Sequence, residues 1–308
     1  MECKYPLVSV IMPTYNGELF IYKALNSVIN QTYNKFEIIV VDDGSTDNTR
    51  NIVDEFIKEN KCNIIFIELG NNYGRSRARN EGLSHVSGDF IAFLDVDDVW
   101  SPKKIEKQLI LFNTDNKIGA VGVSALCKDL HNINNKDHVI KPWARGDNTF
   151  SSMLTGNAIG VTPGVVIRRS ALNSDDKFDE NLETMEDYDF WLNIAKRMRF
   201  DFIDEPLVTV YRHERNSFYD YKKSVEGVIK FGLKNMNSLN GKDRCIFKKN
   251  VVKGILDFHA IRYAKSSKLY YSIKCVWHAS KISILYTLLL GPYSLSKCFY
   301  YYMNSLVR

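Results

Sequence analysis

The run Phe90-Ile91-Ala92-Phe93-Leu94 passes without a break into Asp95-Val96-Asp97-Asp98, so five consecutive apolar residues empty into three carboxylates within four positions. An apolar run of that length, set off by Gly88, reads as a strand buried on both faces, and such strands belong to sheets covered by helices. Carboxylates clustered beyond a buried strand need a counter-charge. Two of them spaced i and i+2 can turn toward one hard cation, Mg2+ or Mn2+, which takes oxygen ligands and the phosphate oxygens of a substrate. Asp95 and Asp97 therefore read as the seat of a metal-bound diphosphate. The alternative is a solvated acidic turn ahead of a helix starting at Pro102, with Ser101 as its N-cap.

The same grammar recurs upstream. Leu7–Met12 runs into Pro13-Thr14-Tyr15-Asn16-Gly17, Phe36–Val41 into Asp42-Asp43-Gly44-Ser45-Thr46-Asp47, and Ile64–Ile67 into the loop Gly70–Gly74. Between these runs Ile21, Leu25, Val28 and Ile29 recur at helical spacing, as do Ile52, Val53, Phe56 and Ile57, for which Ser45 or Thr46 is a candidate cap. Arg75 to His85 reads as a third helix, with Arg75, Arg77 and Arg79 in its first turns. Strand alternating with helix predicts an α/β fold with a mostly parallel sheet covered on both faces. Ligands bind such sheets beyond the carboxyl ends of the strands. Tyr15, Asp43 and the cluster Asp95 to Asp98 all fall there, whereas surface loops alone would scatter acids over both sheet ends.

Downstream, Ile105, Leu109 and Phe112 mark a helix face, Ala120 to Ser124 a strand, and Lys128 to Asp147 a polar loop near the site. Val165-Val166-Ile167 returns to the sheet, and Leu207 to Tyr211 is the last strand, followed by Arg212-His213-Glu214-Arg215. Glu186-Asp187-Tyr188-Asp189-Phe190-Trp191 opens a helix with Trp191, Leu192 and Ala195 inward; carboxylates in a first turn also complement the helix dipole. Residues 1–217 thus read as one α/β domain. Residues 218–308 read as a helical extension, from the spacing of Val225, Val228, Ile229 and Leu233 and of Val251, Val252, Ile255 and Leu256.

Composition narrows the function classes. The six cysteines show no short pairing, which argues against a zinc site or a disulfide framework and for a reducing compartment. Met1 to Pro6 is charged and lacks an apolar segment, so a cytoplasmic location is expected. No G-x-G-x-x-G follows the first strand, against a dinucleotide oxidoreductase. Pro13 to Gly17 holds no Lys or Arg, against a sugar nucleotidyltransferase gripping a triphosphate. From Ser266 to Arg308 there are five Lys or Arg and no acid, which equals the net charge of the whole chain, +5. That tail is rich in tyrosine, and its longest apolar stretch, Ile282 to Leu290, falls short of the roughly 20 residues a spanning helix needs. It suits the plane of an anionic membrane surface, a packed helical cap being the alternative. No nucleic-acid partner is expected.

The segments Val8 to Asn16 (VSVIMPTYN), Val41 to Thr46 (VDDGST), Gly74 to Gly82 with Ala78-Arg79-Asn80, Phe93 to Asp98 (FLDVDD) and Glu186 to Trp191 (EDYDFW) together resemble the inverting family 2 glycosyltransferases of GT-A fold. The resemblance covers about residues 5 to 217, in the family's order. It implies a Rossmann-like GT-A domain, a nucleotide-sugar donor, most often UDP-linked, and a divalent metal. The acceptor it implies is a glycan or lipid-linked glycan of the kind used in surface polysaccharide assembly. By the same resemblance Pro13 and Tyr15 pack against the base, Asp43 accepts a hydrogen bond from uracil, and Arg75 lies near base or ribose. Asp95 reaches the ribose, Asp97 the metal, and Asp187, with Glu186 beside it, is the catalytic base. His213 matches a histidine that holds the metal or diphosphate, although Tyr211-Arg212-His213 is one residue shorter than the usual Tyr-Arg-x-His. An inactive scaffold on the same fold is the rival of a different class, and it would be expected to lack Asp97 or Asp187.

Overall fold

Strand β1 (Val8–Thr14) is buried at every position, which places it in the middle of a sheet with both faces covered. The computed structural model to which it belongs describes residues 6–130, 136–213 and 221–266. Helix α1 (Ile21–Ile29) leads to β2 (Phe36–Asp42), α2 (Thr49–Asn60) to β3 (Ile64–Glu68), and α3 (Arg75–Ser84) to β4 (Phe90–Phe93). β2 and β4 flank β1 in parallel, and β3 lies parallel to β2. Because the register sets Thr14 opposite Asp42 and Ile11 opposite Phe93, these strands release their chains along one edge. The odd and even residues of β1 face different helices. Val8, Val10 and Met12 join Ile21, Leu25, Val28, Val53 and Phe56 in one core, while Ile39, Val41 and Ala78 form a smaller cluster.

Beyond β4 the sheet is mixed. It gains β5 (Val99–Trp100), then, after α4 (Lys104–Phe112), β6 (Ile118–Asp129) and β7 (His138–Ile140), and after α5 (Thr149–Met153), β8 (Val166–Arg168). Helix α6 (Glu186–Ala195) precedes β9 (Arg199–Arg212). The order is β3-β2-β1-β4-β8-β6-β9-β5, with β7 on β6. β8 runs antiparallel to β4 and β6, whereas β9 runs parallel to β6 and antiparallel to β5.

Four local expectations are corrected. The polar stretch from Lys128 contains the end of β6 and all of β7, because a half-exposed antiparallel edge tolerates polar side chains as long as its backbone is paired. β9 starts at Arg199, well before Leu207, drawn into the sheet by its long pairing with β6. α4 starts at Lys104, and Ser101 contributes its carbonyl, which accepts the Lys104 amide at 3.1 Å, instead of its hydroxyl. α2 starts at Thr49, whose amide is met by the Asp47 carboxylate at 3.0 Å, while Ser45 is engaged with Asp42.

The chain divides into two units: residues to Met153 with Asn157–Asn181 and Phe190–Glu214, and Leu154–Gly156 with Leu182–Asp189 and the chain from Arg215. The whole sheet lies in the first. In the second, α7 (Tyr221–Met236) and α8 (Gly241–Ser266) form a helical hairpin, with the Phe231 and Phe247 rings in edge contact at 5.3 Å. No helix among the described residues is long and apolar enough to cross a membrane. The tail expected to meet a membrane, residues 267–308, lies outside the described residues.

Candidate active site

Tyr15 and Asp43 stand one backbone hydrogen bond apart: the Asp43 amide donates to the Thr14 carbonyl at 2.8 Å, continuing the β1–β2 ladder past the strand ends. The Asp43 carboxylate is buried and accepts the amides of Tyr73 at 2.8 Å and Gly74 at 2.7 Å. It thereby fixes the loop that delivers Arg75, the first residue of α3. Each of its oxygens keeps a lone pair beyond the one so used. Pro13 is a buried strand residue opposite Val41, and Tyr15 exposes 46% of its surface at the sheet edge. Asn16, at positive φ, closes the loop by accepting the Thr46 amide at 2.9 Å.

After β4 the three acids separate by partner. Asp95 Oδ1 accepts from Arg79 Nη2 at 2.8 Å, a guanidinium 2% exposed reaching a half-buried carboxylate. Asp98 turns inward and accepts the Tyr211 amide at 3.2 Å, tying the acidic turn to β9. Asp97 lies between them, with Oδ2 3.1 Å from His213 Nε2. Burial first, and the neighbouring Asp95 second, push the Asp97 carboxyl above the ordinary aspartate range, against the pull of His213. Asp98 is raised further by its own burial and by Asp97 and Asp95.

The short Tyr211-Arg212-His213 sequence thus still reaches the acids. Residues i and i+2 of a strand share a face, and here Tyr211 and His213 both meet α1. The His213 ring stacks on Phe20 with centroids 4.8 Å apart and planes 14° apart, and Lys23 Nζ donates to Tyr211 Oη at 3.0 Å.

Glu186 and Asp187 sit in the second unit, in the first turn of α6, directly after Met185 at φ 67°. Of the acids in this turn, Asp189 is 1% exposed and bound by Lys234 at 2.8 Å and Asn235 at 2.7 Å, and Glu186 is 3% exposed. Asp187 is the one that keeps partial exposure, with Oδ1 accepting the Tyr188 amide at 2.7 Å. Thr184, opposite Gly227, packs so tightly that a Cβ at 227 would stand 1.9 Å from its hydroxyl.

Among the described residues no three His, Cys, Asp or Glu side chains converge as a ready-made metal cage. The donors that do meet are one carboxylate and one imidazole, with further carboxylates close enough to raise each other's pKa. That set fits a hard divalent cation that completes its shell with phosphate and water oxygens. It does not fit a four-ligand structural zinc. Asp97 and His213 could hold the ion, and Asp95, expected as a further ligand, accepts from Arg79 through Oδ1 alone.

Arg79, Phe20 and Lys23 escaped the sequence reading as site residues. Arg79 had a signal, the Ala78-Arg79-Asn80 motif. For Phe20 and Lys23 the spacing i, i+3 at a helix start carried none.

The mixed sheet and the acid-bearing edge define the GT-A class of α/β fold, and solved structures agree. The crystal structure of S. aureus TarS 1-349 in complex with UDP matches 96% of this chain and 88% of its own with a TM-score of 0.67 at 21% identity. The mannosyltransferase PcManGT from Pyrobaculum calidifontis, in complex with GDP-Man and Mn2+, matches 97% and 87% with a TM-score of 0.61 at 17% identity. The sequence profile described as Glycosyl transferase family 2 matches residues 9–175. The chain therefore belongs to glycosyltransferase family 2 and is a glycosyltransferase. It is 38% identical over 190 residues to the Escherichia coli UDP-Glc:alpha-D-GlcNAc-diphosphoundecaprenol beta-1,3-glucosyltransferase WfgD, covering 62% of this chain and 70% of that one. It is 32% identical over 194 residues to the putative teichuronic acid biosynthesis glycosyltransferase TuaG of Bacillus subtilis, covering 62% and 73%.

Proposed function

We propose that this enzyme moves a hexosyl or N-acetylhexosaminyl group from a UDP-sugar, with inversion, to a hydroxyl of a glycan or lipid-linked glycan in surface polysaccharide synthesis. The observation that carries the reading is the Asp97–His213 pair, beyond the same sheet edge that presents Tyr15 and Asp43. The UDP complex of TarS supports the donor class, and the lipid diphosphate in the name of WfgD supports the acceptor class.

In this reading Pro13 and Tyr15 border the base, the spare lone pairs of Asp43 receive the uracil imide, and Arg75 lies beside base or ribose. Asp95 offers the ribose the oxygen that Arg79 leaves over. Asp97 and His213 hold a Mn2+ or Mg2+ ion, which when bound neutralises charge on the departing diphosphate. Asp187, with Glu186 beside it, takes the proton of the acceptor hydroxyl as that oxygen bonds to the anomeric carbon. The bond from that carbon to the diphosphate breaks on the opposite face, and the configuration inverts. The partly exposed state of Asp187, in a turn whose other acids are buried, supports its choice as the base.

Asp187→Asn is expected to lower turnover roughly 10²–10⁴-fold, the range of a general base, with UDP affinity unchanged. Asp97→Ala is expected to weaken UDP binding in manganese but not in chelator, measured by calorimetry. Loss of UDP binding in the first variant, or manganese-independent UDP binding in wild type, would contradict the assignments.

Residues 221–265 carry eleven Lys or Arg against three Asp or Glu, and residues 1–220 twenty-five against thirty-three. The basic character expected of the tail thus begins at α7. It supports a cytoplasmic enzyme lying on the anionic inner face of the cell membrane, where a lipid-linked acceptor would be met.

A further inference from the structure

We propose that Phe20 and Lys23, at the start of α1, are positioning residues that clamp the end of β9 and so hold the His213 imidazole against Asp97. The proposal rests on the reading of Asp97 and His213 as the cation-holding pair. It adds what fixes their geometry before any ligand arrives.

Phe20 occupies the N-cap of α1 and makes no side-chain capping bond. Ser, Thr, Asp or Asn at that place would stabilise the helix by about 1 kcal/mol. The aromatic ring serves another contact: it lies nearly parallel to the imidazole, 4.8 Å between centroids and 14° between planes. Such a stack sets the plane of the His213 ring, and with it the direction of Nε2, which lies 3.1 Å from Asp97 Oδ2. One helical turn on, Lys23 Nζ bonds Tyr211 Oη at 3.0 Å and lies 4.4 Å from the centroid of that ring. The two contacts match in spacing, i and i+3 at the helix start against i and i+2 at the strand end, so the start of α1 grips Tyr211 on β9 and His213 just past its end. The far side of the grip is also fixed, since the Tyr211 amide donates to Asp98 Oδ1 at 3.2 Å.

α1 itself cannot drift. The amides of Phe20 and Ile21 both donate to the Gly17 carbonyl at 2.9 Å, and the Gly17 amide donates to Thr49 Oγ1 at 2.9 Å. A Cβ at 17 would stand 2.5 Å from Thr14 Oγ1 and 2.8 Å from Val96 Cγ2, so the turn is seated between β1 and the acidic segment. His213 and Asp97 are 116 residues apart, and the start of α1 is the element that closes this gap from the histidine side.

Groups that orient a metal-binding imidazole typically contribute 10–100-fold to metal affinity. The test is calorimetry of Mn2+ binding to the full chain in saturating UDP, for wild type, Phe20→Leu, Phe20→Tyr, Lys23→Ala and His213→Ala. Expected is about a tenfold loss of affinity for Phe20→Leu, near-wild-type binding for Phe20→Tyr, which keeps the ring, and an intermediate loss for Lys23→Ala. A second readout needs no metal. The His213 ring protons, shifted upfield in wild type by the phenyl ring current, should move back in Phe20→Leu and stay in Phe20→Tyr. Phe20→Leu binding Mn2+ as wild type does, while His213→Ala has lost it, overturns the clamp alone. His213→Ala binding as wild type removes the pair on which both the site assignment and the clamp depend. If Phe20→Leu does not fold, Lys23→Ala, at an exposed position, decides the matter by the same affinity.

Discussion

Lys104 is fully buried, its Nζ has no hydrogen-bond partner among the described residues, and it lies 4.0 Å from the centroid of the Trp100 ring. Burial holds its amine well below the ordinary lysine value of 10.5. The unfolded chain therefore binds this proton over a pH range in which the folded one does not. The penalty is full at low pH and lifts as pH rises from the depressed value toward 10.5. Lys104→Met is expected to stabilise the fold by about 1–3 kcal/mol at neutral pH, the cost of an unsatisfied buried polar group. Denaturant melts at several pH values should show the gap between variant and wild type shrinking toward alkaline pH; a variant less stable than wild type at neutral pH would show that Lys104 is held by something stronger than the indole. The apolar stripe Ile105, Leu109, Phe112 was legible in the chain, and the burial of Lys104 and Gln108 beside it was not. A lysine at the margin of such a stripe ordinarily snorkels to water. Here Gln108, one turn on, is likewise held inward, its amide donating to the Val121 and Gly164 carbonyls at 2.7 and 2.9 Å.

At the scale of elements, α3 shows how a helix can be buried without an amphipathic signature. Its sequence RSRARNEGLS is polar, and what it buries is Ser76, Ala78, Arg79 and Gly82. Small residues let it approach β1 closely: a Cβ at Gly82 would stand 2.5 Å from Ile11 Cγ2. That approach brings Arg79 within reach of Asp95. Gly82→Ala gains about 1 kcal/mol in helix propensity and loses roughly 1–3 kcal/mol to overpacking. Gly82→Val recovers less of that gain and adds more bulk against Ile11, so its urea midpoint should fall below those of both wild type and the alanine variant. Equal midpoints would mean that α3 rises from β1 without penalty. The helix was readable from its position between strand three and the acidic run. Its depth was not, since depth depends on what β1 presents opposite it.

Across the whole molecule, charge is divided along the chain, acidic to residue 220 and basic beyond. On α8 the exposed Lys242, Lys249 and Lys253 recur at seven and four residues and so share one helical face. The full chain is expected to co-sediment with vesicles containing anionic lipid at low salt, to release above roughly 0.5 M salt, where the Debye length falls to a few ångströms, and to ignore zwitterionic vesicles. Lys242→Glu, Lys249→Glu and Lys253→Glu together should weaken that binding while leaving UDP affinity intact. Binding that is equal on both vesicle types would rule out the electrostatic account.

Much of this enzyme was written in local patterns: four apolar runs, the acids at their ends, the helices between them and five motifs in family order. Such patterns survive in the letters because neighbours along a strand or helix share one environment, whatever the rest of the chain does. Pairings between distant segments carry no such trace. The Arg79–Asp95 bond spans 16 residues and the His213–Asp97 contact 116, and a one-residue difference in the register of β9 would turn His213 away from the acids. Which carboxylate meets an imidazole, which meets an arginine and which braces a strand depends on where β9, α1 and α3 come to rest against the same sheet.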